Sequence, residues 1–385
     1  MGFFSKKEIE KLYNFRRELH KYPELSGEEK DTAERLESFI TKYNPDKIIK
    51  SLGGHGLAFI FGKDNKGPRV MIRADMDALP IEEANTFDHR SLNPGVGHKC
   101  GHDGHMAILC GIAMHLHKNP PSNGKVILLF QPAEETGQGA KNVIEDPGFL
   151  DLNPDYIYAL HNLPGFEKNS IILSNKHFAS ASIGTIISLE GESSHAAHPE
   201  QGNSPAKLTA ELILELENLP KLKNIFIDFI LVTIIHTTIG EVAFGTNPGK
   251  ATLMATFRSY RNDDMLKLKE IAEKIVEDKS KQYNIISSIE YTEEFPATIN
   301  NAEANEFLHN AAKKVNKPIT WIDNPFRWSE DFGNFTEKYK CALWGLGSGS
   351  KHPSLHNYDY DFPDDIIETG AEVFIRTIDM IFNNE

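Results

Sequence analysis

An α/β fold is predicted, with a mostly parallel sheet in one domain and a ferredoxin-like α+β domain inserted into it. Three observations carry this expectation. Apolar runs of strand length alternate with amphipathic helices over residues 1–180 and again over 294–385. Over residues 181–293 the order becomes strand, helix, strand, strand, helix, strand, as in a ferredoxin-like sandwich. At 385 residues the chain also exceeds what one hydrophobic core usually serves. A first domain of 1–180 and 294–385, interrupted by a second of 181–293, places the expected cleft and hinge between them.

Each element follows from local pattern. Residues 8–21 and 28–42 carry apolar positions at helical spacing, and Tyr22-Pro23-Glu24-Leu25-Ser26-Gly27 breaks them apart. Strand-like runs follow at Leu57-Ala58-Phe59-Ile60-Phe61 and Val70-Met71-Ile72-Arg73. The second of these leads into Ala74-Asp75-Met76-Asp77-Ala78-Leu79-Pro80. A helix over 102–117 precedes the apolar run Val126-Ile127-Leu128-Leu129-Phe130, and Tyr156-Ile157-Tyr158-Ala159-Leu160 forms another strand. In the insertion, Ile183-Gly184-Thr185-Ile186-Ile187-Ser188-Leu189 alternates as a strand. Ser204-Pro205 then opens a helix with Leu208, Leu212, Ile213 and Leu216 on its apolar face. Strands over 225–239 and 251–258 come next, followed by a helix from Asn262-Asp263-Asp264, whose acids sit at its positive end. A strand over 285–292 closes the insertion. The first pattern resumes with a helix over 303–315, a strand over 340–346 and a final helix over 364–382.

Composition narrows the function classes. Forty per cent hydrophobic and 25% charged residues describe a soluble globular protein, and a net charge of −14 argues against nucleic acid or an anionic membrane as partner. Three cysteines, at 100, 110 and 341, are too few and too scattered for a disulfide framework. Cys110 and Cys341 lie in apolar surroundings and read as small buried hydrophobes. Cys100 stands among histidines and glycines, and a thiol used as a ligand favours a reducing compartment. The first residues lack a signal-peptide core, and the most apolar stretch, 225–235, is broken by Asp228 and too short to span a bilayer. The expectation is a soluble cytoplasmic protein.

The chemistry concentrates in three segments. Gly97-His98-Lys99-Cys100-Gly101-His102-Asp103-Gly104-His105 opens a helix. Phe130-Gln131-Pro132-Ala133-Glu134-Glu135 ends a strand in two adjacent carboxylates, and another strand ends in His161. Thiolate, imidazole and carboxylate are the ligands of zinc-like ions, and sites in parallel sheets form beyond the carboxyl ends of strands. With His356 from the returning first domain, Cys100, His102, Glu135 and His161 make five candidate ligands. Five are more than one tetrahedral zinc uses and suit two divalent ions. Zinc is favoured, with manganese, cobalt or nickel as alternatives. Glu134 is then free to act as general base, taking a proton from a metal-activated water and delivering it to the leaving amine. Asp77 is expected to accept a hydrogen bond from a ligand histidine, and for Asp75 a carboxylate that caps or turns the backbone after the strand is nearly as good a reading as a place beside the site. His98 and His105 are taken as residues near the site or at the surface, and His20 and His89 as structural or exposed. In the insertion, His195 of Ser193-Ser194-His195-Ala196-Ala197 has room to donate to the oxyanion of a tetrahedral intermediate.

Assembled in this order, these residues resemble the metal-dependent amidohydrolases that include hippurate hydrolase, N-acyl-amino-acid deacylases and auxin-conjugate hydrolases. Aminoacylase and succinyl-diaminopimelate desuccinylase are wider relatives. The resemblance spans nearly the whole chain. It includes His20-Lys21-Tyr22-Pro23-Glu24-Leu25-Ser26, Arg73-Ala74-Asp75-Met76-Asp77, Cys100-Gly101-His102-Asp103 and Gln131-Pro132-Ala133-Glu134-Glu135, and continues through Ser194-His195-Ala196-Ala197, Ser329-Glu330-Asp331-Phe332 and Leu355-His356-Asn357. It implies the same five ligands, Glu134 as base, and an inserted lid and dimerisation domain whose His195 assists catalysis, in some relatives from the partner subunit. It also implies that Arg258 faces a substrate carboxylate. The chain departs from the pattern at Gly245, where an asparagine is expected, and at Tyr358-Asp359-Tyr360-Asp361-Phe362, where proline usually follows the asparagine.

The expected activity is hydrolysis of an amide bond in an N-acyl amino acid or related small conjugate. A dipeptidase or aminopeptidase of the same superfamily is the alternative within the enzyme class, and those relatives mostly carry aspartate where Cys100 stands. A non-catalytic metal-holding interaction protein is the alternative from another class. Glu134 argues against it, since a dead relative need not keep a carboxylate beside the ligand.

Overall fold

The computed structural model describes residues 3–62, 66–222 and 224–383. They divide into two compact units. One comprises 1–178, 298–325 and 330–385, and the other 179–297 with 326–329. The four-residue segment 326–329 groups with the second unit although the sequence pattern places it in the first. Its backbone explains this, because Phe326 and Trp328 carbonyls accept from Ser180 N–H at 3.0 and 3.1 Å.

The first unit is built on an eight-stranded sheet. Its order is Lys47–Leu52, Gly56–Phe61, Lys125–Gln131, Arg69–Asp75, Tyr156–Pro164, Lys340–Gly349, Ile171–Ser174 and Ile319–Ile322. The four central strands, Lys125–Gln131 through Lys340–Gly349, run parallel, and Gly56–Phe61 on one side and Ile171–Ser174 on the other pair antiparallel to them. Gly56–Phe61 and Lys125–Gln131 are buried nearly throughout, as expected of strands covered on both faces. Helices Lys6–Lys21, His102–Lys118, Ala302–Lys314 and Ile367–Asn383 contribute to one core with residues such as Leu12, Ile108, Leu308 and Phe374. His102–Lys118 is apolar nearly all round and is buried along its length.

The second unit has the expected order: strand Ala181–Glu190, helix Ala206–Asn218, strands Ile230–Ile239 and Lys250–Ser259, helix Asn262–Tyr283 and strand Ile286–Phe295. Its antiparallel sheet places Ala181–Glu190 between Lys250–Ser259 and Ile286–Phe295, with Ile230–Ile239 at the edge. Leu208, Leu212 and Leu216 of the first helix and Leu268, Ala272 and Val276 of the second are buried. Among the described residues no helix is long and apolar enough to cross a membrane.

Candidate metal centre

Parallel strands point their carboxyl ends to one edge of a sheet, which is why three separate sequence segments meet here. Asp75 ends one strand and lies in register with Gln131 on the next, and His161 lies beside Gly345 on the fourth. Beyond Gln131 the chain turns at Ala133, whose φ of 53° is left-handed, and delivers Glu134 and Glu135. Cys100 and His102 flank Gly101 at the mouth of the buried helix. Gly101 has φ 97°, and a Cβ there would stand 2.6 Å from Asn162 Oδ1, so only glycine fits this turn. His356 comes from the loop before the last helix with a left-handed φ of 65°.

The five candidate ligands and Glu134 converge. Cys100 Sγ lies 3.4 Å from His161 Nε2. His102 Nε2 lies 3.8 Å from Glu135 Oε1 and 4.0 Å from Glu134 Oε2. His356 Nε2 lies 3.9 Å from Glu135 Oε2. Cys100 belongs to two sets of mutually close donor atoms, one with His102 and His161 and one with Glu135 and His356. Zinc–ligand bonds of about 2.0–2.3 Å place neighbouring tetrahedral donors roughly 3.3–3.8 Å apart, close to these gaps.

The ring nitrogens face the right way for an ion. His102 Nδ1 is held by the Asp77 carbonyl at 2.9 Å, with the Asp77 carboxylate 3.3 Å away, and His161 Nδ1 donates to the Asn162 carbonyl at 2.9 Å. In each, Nδ1 is thereby the protonated nitrogen, so that in a neutral ring the Nε2 lone pair turns inward. Without a cation, burial is outweighed by Asp75, which raises the His102 pKa well above its ordinary value. His102 Nε2 and Glu135 Oε1 are buried without a hydrogen-bond partner. Such orphaned donors and acceptors are costly unless something coordinates them. The residues present therefore fit a divalent cation.

Electrostatics agree. Burial, with Glu330 and Glu135 nearby, pushes the Glu134 carboxyl well above its ordinary range. Burial pushes Glu135 up to about 8, against the pull of His102. Burial and Glu135 raise the Cys100 thiol. Burial and His105 hold His161 down to about 3, leaving a neutral imidazole. So much buried acid in one place calls for cationic charge.

Two expectations need correction or refinement. Asp75 is no turn former: it is fully buried, accepting from Arg73 Nη1 at 2.7 Å and from His105 Nδ1 at 2.6 Å. His98 and His105 are both buried rather than at the surface. His105 has both nitrogens engaged, by Asp75 and by Asn162 at 2.5 Å, in keeping with a place beside the five candidate ligands rather than among them. Asp77 meets the His102 ring through its main-chain carbonyl, and its carboxylate Oδ2 accepts from Ser26 Oγ at 2.7 Å and from Glu135 N–H at 3.0 Å.

Sequence reasoning missed a buried cluster under Glu134. Arg73 reaches Gln131 at 2.8 Å, Asp331 at 2.7 Å and Glu330 at 3.0 Å, and Asp331 N–H donates to Glu134 Oε1 at 3.3 Å. The Ser329-Glu330-Asp331-Phe332 motif was the available signal, but nothing in it says that Arg73 is the counter-charge.

His195 and Arg258 belong to the second unit. His195 is exposed on a two-residue strand paired with Thr246–Asn247. Its Nδ1 accepts from Ala197 N–H at 3.0 Å, so in the neutral ring Nε2 carries the proton and can donate. Arg258 Nη1 donates to the Arg327 carbonyl at 2.9 Å and to Ser329 Oγ at 3.1 Å. Burial lowers its pKa from the ordinary value. Gly245 has open space where a side chain would stand.

Residues 71–380 match the profile of the Peptidase family M20/M25/M40. Hippurate hydrolase of Campylobacter jejuni is 30% identical over 371 residues, covering 96% of this chain and 95% of that one. N-acetyl-L-cysteine deacetylase of Bacillus subtilis is 31% identical over 351 residues, covering 90% and 82%. Among solved structures, a dinuclear metal-binding peptidase of Bacillus subtilis superposes with a TM-score of 0.84 at 22% identity, over 99% of this chain and all of that one.

Proposed function

The chain belongs to the peptidase family M20/M25/M40 and is a hydrolase of that family, and we propose that it cleaves the amide bond of N-acyl amino acids or related small conjugates. The carrying observation is the convergence of Cys100, His102, Glu135, His161 and His356 around orphaned donor atoms, with the buried Glu134 carboxyl beside them. Hippurate hydrolase and N-acetyl-L-cysteine deacetylase, both named for N-acyl amino acids, support the substrate class.

The five residues would hold two divalent ions, and the thiolate and imidazoles favour zinc. When bound, such ions act as Lewis acids on the scissile carbonyl and lower the pKa of water. The protein supplies the proton transfers and the orientation. Glu134 takes the proton of the attacking water and passes it to the amine nitrogen as the C–N bond breaks, leaving a carboxylic acid and an amine. Asp77 fixes the His102 ring. His195 donates through Nε2 to the oxyanion of the tetrahedral intermediate, and the Arg258 guanidinium receives the substrate carboxylate. Acting inside the cell as a homodimer joined through the inserted domain is part of the same reading.

Incubating metal-loaded protein with a panel of N-acyl amino acids and dipeptides, read by mass spectrometry, tests the proposal. Release of free amino acid from the acylated substrates is expected, together with about two ions per chain in active protein. Turnover confined to dipeptides would replace it with a peptidase reading, and full activity with one ion would overturn the dinuclear centre.

A further inference from the structure

His356 is the candidate ligand with the weakest local support. It sits on a loop, its side chain is about half exposed (52%), and its backbone is in the left-handed region that non-glycine residues avoid. Something beyond its own element must hold it in place. The loop is held by Asn85 at the Asp359 and Tyr360 carbonyls and by Asn162 at the Tyr360 hydroxyl, and at Lys99, which adjoins Cys100, it meets the segment that carries a candidate ligand.

Lys99 is fully buried, which is rare for lysine. Its backbone carbonyl accepts from His356 N–H at 2.8 Å. Its ammonium donates to the Tyr360 carbonyl at 2.9 Å, four residues further along the same loop, and to Glu83 Oε1 at 2.5 Å. The loop is thus gripped on both sides of its turn by one residue. Glu83 is itself tied down, accepting from His20 Nε2 at 3.0 Å and from Ser91 N–H at 2.6 Å. His20 and Arg16 then pair with Asp103 on the ligand-bearing helix, and Arg16 returns to the loop at Asp361 with a 2.6 Å contact.

We propose that Lys99 is a positioning residue for the metal centre, bridging the loop that carries His356 to the segment that carries Cys100 and so setting the affinity of the ion that His356 would bind. This rests on the dinuclear reading above. The physical reason is preorganisation: a ligand on an unrestrained loop loses conformational entropy when the ion binds, and the buried bridge removes that loss beforehand. No other described lysine is fully buried.

The test is a titration of metal-free protein with zinc, followed by calorimetry, on wild type, Lys99→Met, His356→Ala and the double variant. Wild type should bind two ions. Lys99→Met should keep one site at wild-type affinity and weaken the other at least tenfold, with His356→Ala affecting the same site. Because Lys99 is argued to act through His356, adding Lys99→Met to His356→Ala should cost nothing further. A residue that merely supports the fold would weaken both sites and add to the loss in His356→Ala. Either that pattern, or two wild-type affinities in Lys99→Met, overturns the proposal. Fewer than two sites in wild type would instead sink the dinuclear reading. Removing one partner of a buried ion pair is destabilising. Should Lys99→Met fail to fold, Lys99→Met/Glu83→Gln, which leaves no unpaired carboxylate, carries the same titration and the same criteria.

Discussion

Two adjacent glutamates with different surroundings should fail differently when altered. Glu135 faces His102 and His356 across gaps of 3.8 and 3.9 Å, so Glu135→Ala should lose metal and activity together. Glu134 is anchored by Asp331 N–H and lies over the Arg73 cluster, so Glu134→Gln should keep both metal and fold. Its turnover should fall by about 10² to 10⁴-fold, because an amide cannot accept the water's proton. Metal analysis beside steady-state kinetics separates the two. Near-normal turnover in Glu134→Gln, with Glu135→Gln inactive but fully metal-loaded, would reverse the roles. Gly101 is a further residue-level case. Alanine there adds a left-handed penalty of at least about 1 kcal/mol and a Cβ 2.6 Å from Asn162 Oδ1. Gly101→Ala should therefore lower both the melting temperature and metal occupancy; wild-type values for both would show that the turn tolerates a side chain.

At the scale of elements, the first helix is fastened to the ligand-bearing helix by charge. His20 bridges Asp103 at 2.8 Å and Glu83 at 3.0 Å. Burial opposes its ionisation, but Asp103 and Glu83 outweigh it and push the pKa up to about 9. The ordinary value for histidine is about 6.5. A raised folded-state pKa contributes stability that is fully present below about 6.5 and is lost as pH rises through about 9. Thermal melts across pH 6.5 to 9.5 should show this decline in wild type and a flatter profile in His20→Gln. Parallel profiles in the two proteins would mean that another group titrates. The pattern-rich elements were legible beforehand, as the helix over His102–Lys118 and the strands Gly56–Phe61 and Lys125–Gln131 show. Lys47–Leu52, Ile171–Ser174 and Ile319–Ile322 were not. Lys47–Leu52 lies at one edge of the sheet and Ile319–Ile322 at the other, each with mixed exposure and no apolar alternation, while Ile171–Ser174 is only four residues long.

For the whole molecule the question is how the inserted unit takes part. His195 lies in that unit and all five candidate ligands in the other. His195→Ala should therefore lower kcat sharply while leaving metal content unchanged, since an oxyanion contact is made mainly in the transition state. Wild-type turnover in this variant would remove the histidine from the mechanism. Mixing inactive His195→Ala with inactive Glu134→Gln asks whether the histidine is supplied by a second subunit. Recovered activity after subunit exchange is the expected sign of sharing, and none despite demonstrated exchange would restrict its action to one chain.

The two-part α/β architecture, the ferredoxin-like order of the insertion and the residue types able to hold metal were legible before any contact was known. These follow from local periodicity and from ligand chemistry, which are written along the chain. Which buried groups answer one another depended on how the chain folds. Arg73 finds Asp331 across 258 positions, Arg16 finds Asp361 across 345, and Lys99 finds Tyr360 across 261. No local pattern encodes such pairs, because a charge in the interior must be matched by whichever group the fold happens to bring beside it. The same reasoning separates His105 from His102. They are three residues apart on one helix and alike in sequence, yet Asp75 and Asn162 occupy one ring while the other turns an unpartnered nitrogen to the site.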